Sequence, residues 1–181
     1  MQDNTNRQDT EIEGFVRVRA DELNENAIKL IGTDWMLITA GTIDNMNTMT
    51  ASWGGLGMLW NRHVAFIFIR PQRYTYQFVE REDYFTCSFY DERFRSMLNF
   101  CGTYSGRDCN KPLEVGISPI KVGHSIAFSE ARLIIECKKI YYQDINRENF
   151  LADFINKHYP ESDYHRMFIG EITSAWINQE Q

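Results

Sequence analysis

The sequence predicts a mainly β domain: an antiparallel sheet closing into a barrel, with a few helices at its periphery. Three observations lead there. Apolar segments of strand length, alternating or continuous, recur along the chain. The helical segments between them are unequal and irregularly spaced, which does not suit a doubly wound βαβ sheet. The 181 residues are 43% hydrophobic and 14% aromatic, enough for one domain with a real core. Closing such a sheet would remove its edges.

Residues 1–25 read as a flexible, polar N-terminal tail, and 26–181 as a single domain. Trp35 to Ala40 is the first predicted strand, and Gly41 to Asn47 a turn rich in Gly, Asp and Asn. Thr48 to Trp53 suits a strand with Met49, Ala51 and Trp53 on one face and Thr48, Thr50 and Ser52 on the other. His63 to Ile69 is apolar on both faces and bounded by Pro71, as a strand buried on both sides would be. Thr75 is placed to cap a short helix running to Glu82. Tyr84 to Tyr90 is a strand in which Phe85, Cys87 and Phe89 alternate with Thr86 and Ser88. Asp91 is placed to cap a helix ending at Gly102, and Asp108 to Val115 reads as another short helix.

Ala127 to Tyr142 reads as one long strand. Leu133, Ile135 and Cys137 face one way, and the apolar phase then slips to Ile140 and Tyr142, which predicts a β-bulge near Lys138. Phe150, Leu151, Phe154 and Ile155 suit an amphipathic helix that Pro160 ends. Phe168 to Trp176 closes the domain as a strand.

The net charge of −6 argues against a nucleic-acid partner, which would need a basic face. The N-terminus lacks the basic start and apolar run of a signal peptide, and the longest apolar run, Val64 to Ile69, is too short to span a bilayer. A cytoplasmic protein without a membrane partner is expected. Cys87, Cys101, Cys109 and Cys137 form no Cys-x-x-Cys pair, and His63, His124, His158 and His165 have no metal spacing. No metal site is expected, most of the histidines read as structural or surface with His165 the least settled of the four, and no catalytic residue can be named.

Two segments carry chemistry. Arg70, Arg73 and Thr75 combine guanidinium forks with a helix N-terminus, which suits a phosphate, although two solvated arginines after a turn would look the same. Thr48 to Trp53 offers small side chains, backbone donors near Ala51 and Ser52, and an aromatic surface. That suits the edge of a flat heteroaromatic ring, and equally an ordinary strand with a core tryptophan. Ser105, Gly106 and Lys111 are candidate ligand contacts, or simple turn chemistry.

Five segments in this order resemble the flavin reductase-like (flavoredoxin-like) family: Asp34–Gly41, Asn47–Gly54, Arg70–Thr75, Ser105–Asp108 and Phe168–Ile172. The resemblance implies an FMN-binding split β-barrel, usually a homodimer with flavin near the subunit interface. It places Asn47, Thr48, Met49, Thr50, Ser52 and Trp53 along the isoalloxazine and ribityl chain, with Ala51 contributing backbone. Arg70, Arg73 and Thr75 would hold the phosphate, and Ser105, Gly106 and Lys111 the other side. The implied activity is hydride transfer from NADH or NADPH to flavin, which leaves for a partner monooxygenase or stays bound. A flavin-binding redox carrier or sensor, and more distantly a pyridoxamine-phosphate-oxidase-like enzyme, are the alternatives. One departure stands out: Tyr104 lies where some relatives carry a histidine on the nicotinamide side.

Overall fold

The computed structural model describes residues 11–180. Ten strands form: β1 (Phe15–Val18), β2 (Met36–Thr42), β3 (Asn45–Ala51), β4 (Gly54–Leu59), β5 (Arg62–Ile69), β6 (Tyr84–Phe89), β7 (Pro119–Val122), β8 (Ser125–Phe128), β9 (Leu133–Asp144) and β10 (Arg166–Asn178). The helices are α1 (Ala27–Lys29), which widens into a looser turn through Asp34, α2 (Tyr74–Arg81), α3 (Arg95–Thr103) and α4 (Lys111–Val115).

The main sheet is antiparallel, in the order β3-β2-β6-β9-β10-β5-β4. Its two ends, β3 and β4, are consecutive in sequence and joined only by Ser52 and Trp53. Two residues cannot cross a flat seven-strand sheet, so the sheet curls until its ends meet. The barrel is therefore split, as the family resemblance implies: among the described residues β3 and β4 do not pair, and each keeps the open edge that a fully closed sheet would lack. β7 and β8 form a separate hairpin outside.

Alternation sorts the side chains into two cores. Met36, Ile38 and Ala40 of β2, Phe85, Cys87 and Phe89 of β6, and Leu133, Ile135 and Cys137 of β9 fill the interior. Leu37 and Ile134, one residue out of phase, join an outer cluster beneath α3 and the β7–β8 hairpin with Leu98, Cys101, Val122 and Phe128. α2 packs Phe78 and Val79 against the interior set.

The predicted bulge is present. Ile169 pairs with Tyr141 and Gly170 with Lys139, leaving Ile140 as the extra residue, two positions beyond Lys138. Gly170 is needed opposite it, because a Cβ there would stand 2.6 Å from the Cys137 Cβ and 2.7 Å from the Phe85 ring. A second register shift falls at Thr173 on β10.

Several sequence expectations are corrected. Phe15–Val18 pairs with Val18↔Ala175 to Phe15↔Asn178 on β10, so the expected tail of 1–25 is ordered sheet there; residues 1–10 lie outside the described residues. The 41–47 turn shrinks to Ile43 and Asp44, since the β2–β3 ladder runs down to Thr42↔Asn45. β4 went unread because three of its six residues are glycine. Its hairpin to β5 turns on Trp60 and Asn61, both at positive φ, the geometry of a primed two-residue turn. Ala127–Tyr142 is two strands, broken at residues 129–132. The helix expected from Asp108 begins instead at Lys111, capped by Asn110, whose side chain accepts from the Leu113 N–H. The segment around Leu151 and Phe154 makes only short 3-10 turns. Leu151 is 99% exposed and Phe154 64%, so no packed apolar face holds a helix together.

No helix among the described residues is long and apolar enough to cross a membrane, and no group of three or more His, Cys, Asp or Glu there is placed to hold a metal ion.

Candidate flavin site

The site forms where the barrel is split, along β3, the β3–β4 connection and the end of β5. β3 pairs only with β2, so alternate peptide groups of β3 face an open edge. The Thr48 carbonyl identifies the outward set: it accepts from Lys111 Nζ at 2.8 Å. The peptide groups of Thr48 and, two residues on, Thr50 therefore sit at the free edge.

The hydroxyls on that strand are mostly spent within the protein. Thr48 Oγ1 lies 2.9 Å from Thr39 Oγ1 and donates to the Ile38 carbonyl at 3.2 Å. Thr50 Oγ1 donates to the Leu98 carbonyl of α3 at 2.5 Å. Of the three hydroxyls expected to face a ligand together, Ser52 alone has no protein partner among the described residues. Met49 and Ala51 face the interior core and also border a small pocket of 180 Å³ with Ser52, Trp53 and Arg70.

Thr75 is not the helix cap. Arg73 holds the N-cap position without a side-chain bond, and Thr75, 1% exposed, lies inside the first turn of α2. Its hydroxyl accepts from Asn47 Nδ2 at 2.7 Å, which fixes the Asn47 amide rather than a ligand. Gly106 explains itself here: a Cβ at that position would run into Asn47 Oδ1 and come within 3.3 Å of the Tyr74 ring. Asn47, Gly106 and Lys111 border a second, larger cleft of 630 Å³ with Tyr74 and Arg107. Ser105 borders neither space; its Oγ accepts from the Arg107 N–H at 3.2 Å, so the turn reading holds for it.

The cations separate into two environments. Arg70 ion-pairs with Asp163 and donates to the His158 carbonyl at 2.7 Å. Gln72 Nε2 joins it on the same Asp163 oxygen at 2.5 Å. Arg73 meets no carboxylate among the described residues; it donates to the Gly102 carbonyl at 2.8 Å. Lys111, 3% exposed, also meets none, and donates to the carbonyls of Thr48 and Cys101, the latter at 2.9 Å. Arg73 and Lys111 thus converge on neighbouring carbonyls at the C-terminal end of α3, where the helix supplies only about half a negative charge. Burial, helped by Arg73, lowers the Lys111 pKa to about 8. Burial and the nearby Arg70 lower that of Arg73.

Sequence reasoning missed the far wall of the small pocket. His165 borders it, 9% exposed, its ring 4.9 Å from Trp53, while His158 meets Trp53 edge-on at 5.4 Å. Trp53 is 42% exposed and in ring contact with both imidazoles rather than buried in the core. Nothing in the spacing of His158 and His165 relative to Trp53 shows this, because the contact is made only when β10 pairs beside β5. Tyr104 stands apart, 54% exposed against Phe100 at 4.4 Å.

A phosphorylated flavin fits this donor set. Its phosphate asks for positive charge that no carboxylate has claimed, which Arg73 and Lys111 provide, and its ring edge asks for backbone donors, which the open edge of β3 provides.

Residues 28–181 match the family model described as flavin reductase like domain. No curated protein matches the chain. Among solved structures, an FMN-binding domain of a flavin reductases-like enzyme from Shewanella baltica superposes with a TM-score of 0.67 at 18% identity, covering 92% of this chain and 78% of that one. Flavoredoxin of Desulfovibrio vulgaris gives 0.63 at 22% identity, with 82% and 71% covered. The styrene monooxygenase flavin reductase of Pseudomonas putida gives 0.60 at 13% identity, with 81% and 80% covered. At these identities the likeness is one of fold.

Proposed function

Because the chain belongs to the flavin reductase like domain family, we propose that it binds FMN at the split of the barrel and reduces it with hydride from NADH or NADPH. The observation that carries the reading is the pair of cations, Arg73 and Lys111, that converge beside the open edge of β3 with no carboxylate partner among the described residues. When bound, the flavin supplies the two-electron chemistry. The protein's part is to hold it. Arg73 and Lys111 carry the phosphate end, their two positive charges answering its negative charge. The Thr48 and Thr50 peptide groups meet the ring edge, with Asn47 fixed by Thr75 behind them. Trp53 and Ser52 border the space beside the ring.

The reading extends to a homodimer in a reducing, cytoplasmic setting, with a flavin-accepting monooxygenase as a candidate partner. Support for the setting is that all four cysteines are free thiols. Support for reduced flavin passing to an oxygenase is the fold shared with a protein described as a styrene monooxygenase flavin reductase. A second reading, a redox carrier without efficient nicotinamide turnover, is favoured by the exposed Tyr104 and by the likeness to flavoredoxins.

One experiment separates these. The purified protein is mixed with FMN, its visible spectrum recorded, and NADH or NADPH added without oxygen. Bleaching at catalytic rates supports the reductase. Bound flavin that stays oxidised supports the carrier. No uptake of FMN contradicts both.

A further inference from the structure

The small pocket beside Trp53 has an imidazole whose orientation is set from behind. His165 Nδ1 lies 2.9 Å from the Tyr159 hydroxyl, and Nε2 has no partner among the described residues although the ring borders the pocket. Tyr159 is itself held: 7% exposed, its ring 5.1 Å from Tyr164 and 5.9 Å from Phe150, with the Arg70 guanidinium 5.5 Å from its centre. The charged groups around His165 are Arg70 at the end of β5 and Asp163 two residues back. Burial, then Arg70, lowers the His165 pKa to about 4 against the opposing pull of Asp163, and burial raises that of Tyr159. At neutral pH the imidazole is therefore uncharged and the phenol keeps its proton. A phenol can donate or accept; where the Tyr159 O–H donates to Nδ1, the neutral ring carries its own proton on Nε2, facing the pocket.

We infer that Tyr159 is a positioning residue that fixes His165 as the Nε2–H tautomer, so that His165 offers an uncharged donor to the carbonyl oxygen of a small planar compound seated beside Trp53. The pocket measures 180 Å³, below the usual range for a drug-sized ligand, so its occupant is a single small ring. Trp53, with its ring exposed, supplies the flat surface, and Met49 and Phe68 the apolar lining. An uncharged donor suits a ketone, aldehyde or amide oxygen, whereas an anion would gain more from a protonated ring. The occupant's role as the second substrate rests on the flavin reading above, which places this pocket next to the ring; the tautomer assignment does not.

The test uses flavin-free, full-length protein labelled with 15N-histidine, with acetophenone as the probe. The expected result is a His165 spectrum of the Nε2–H tautomer alone from pH 6 to 8, and a shift of that nitrogen as acetophenone is added. Tyr159→Phe, which keeps the ring and removes only the hydroxyl, should convert His165 to a mixture of tautomers. It should also weaken acetophenone about 2- to 10-fold, the worth of a neutral hydrogen bond. A wild-type His165 protonated on Nδ1, a Tyr159→Phe spectrum identical to wild type, or acetophenone binding that leaves His165 unmoved would each overturn the inference. The wild-type spectrum decides the tautomer even where the variant does not fold. Failure to take up FMN with the Nε2–H tautomer intact would contradict the flavin reading and leave the Tyr159–His165 assignment standing.

Discussion

Arg70 and Arg73 stand three residues apart at the end of β5, yet they meet opposite surroundings. Arg70 is matched: Asp163 takes its charge, and the His158 carbonyl takes a second N–H. Among the described residues Arg73 is unmatched, its guanidinium bonded to the Gly102 carbonyl and lying near Lys111, which likewise meets no carboxylate there. The difference teaches that two arginines in one motif need not share a role. A guanidinium already paired with a carboxylate must give that partner up before it can hold a phosphate, and the exchange returns little net energy. Arg70 fastens the 146–165 segment to the barrel, whereas Arg73 and Lys111 meet no carboxylate among the described residues.

The comparison can be broken or sharpened by experiment, beginning with the largest expected effect. On the Arg70 side, His165 makes the protein acid-sensitive. Its pKa in the folded protein, about 4, lies below the ordinary 6.5, so the unfolded chain takes up a proton first. Stability is then full above pH 6.5, falls as pH drops towards 4 and levels off below, by roughly 3 kcal/mol in all. His165→Gln should flatten this window in urea titrations at a series of pH values; an unchanged slope would mean His165 titrates normally.

On the other side, Lys111→Met should weaken FMN by about 2–3 kcal/mol, since it removes a buried cation. The pH dependence follows from the Lys111 pKa of about 8 in the free protein. An anionic ligand favours the ammonium form, so binding takes up a proton above that pH. FMN affinity should therefore hold steady between about pH 7, where the phosphate is fully charged, and pH 8, and fall above it, and the Lys111→Met variant should lose the fall. Flavin fluorescence titrations read both. Thr75→Val should have the smallest effect, about 1 kcal/mol in FMN affinity, because it frees the Asn47 amide without touching a cation. A loss as large as that of Lys111→Met would mean Thr75 meets the ligand itself.

Much of the fold was legible because period-2 alternation is a local signal. Phe85, Cys87 and Phe89 point inward as their spacing implies, and the phase slip after Cys137 marked the bulge at Ile140. β1 and β4 were not legible, for different reasons. β1 is four residues with half-exposed and exposed positions, held by pairing with the distant β10. β4 is glycine-rich at an open edge, where there are few side chains to alternate. The site was half legible. Of the residues marked by their motifs, Asn47, Gly106 and Lys111 border the larger cleft and Trp53 the smaller, and Arg73 lies near Lys111. What the motifs could not tell is which charges are already matched. Asp163 lies 93 residues from Arg70, and only the pairing of β10 with β5 brings that segment back. The same pairing brings His165 to Trp53.

The central claim is that Arg73, and not Arg70, is free to hold the flavin phosphate. It is tested most directly by titrating FMN into Arg73→Ala and Arg70→Ala side by side, with urea denaturation of both. The account predicts that Arg73→Ala weakens FMN by about 1–3 kcal/mol with little loss of stability. Arg70→Ala should lose stability by a similar amount, from the unpaired Asp163, while changing FMN affinity by less than about 1 kcal/mol. Equal losses of affinity in the two variants, or a larger loss in Arg70→Ala, would contradict it.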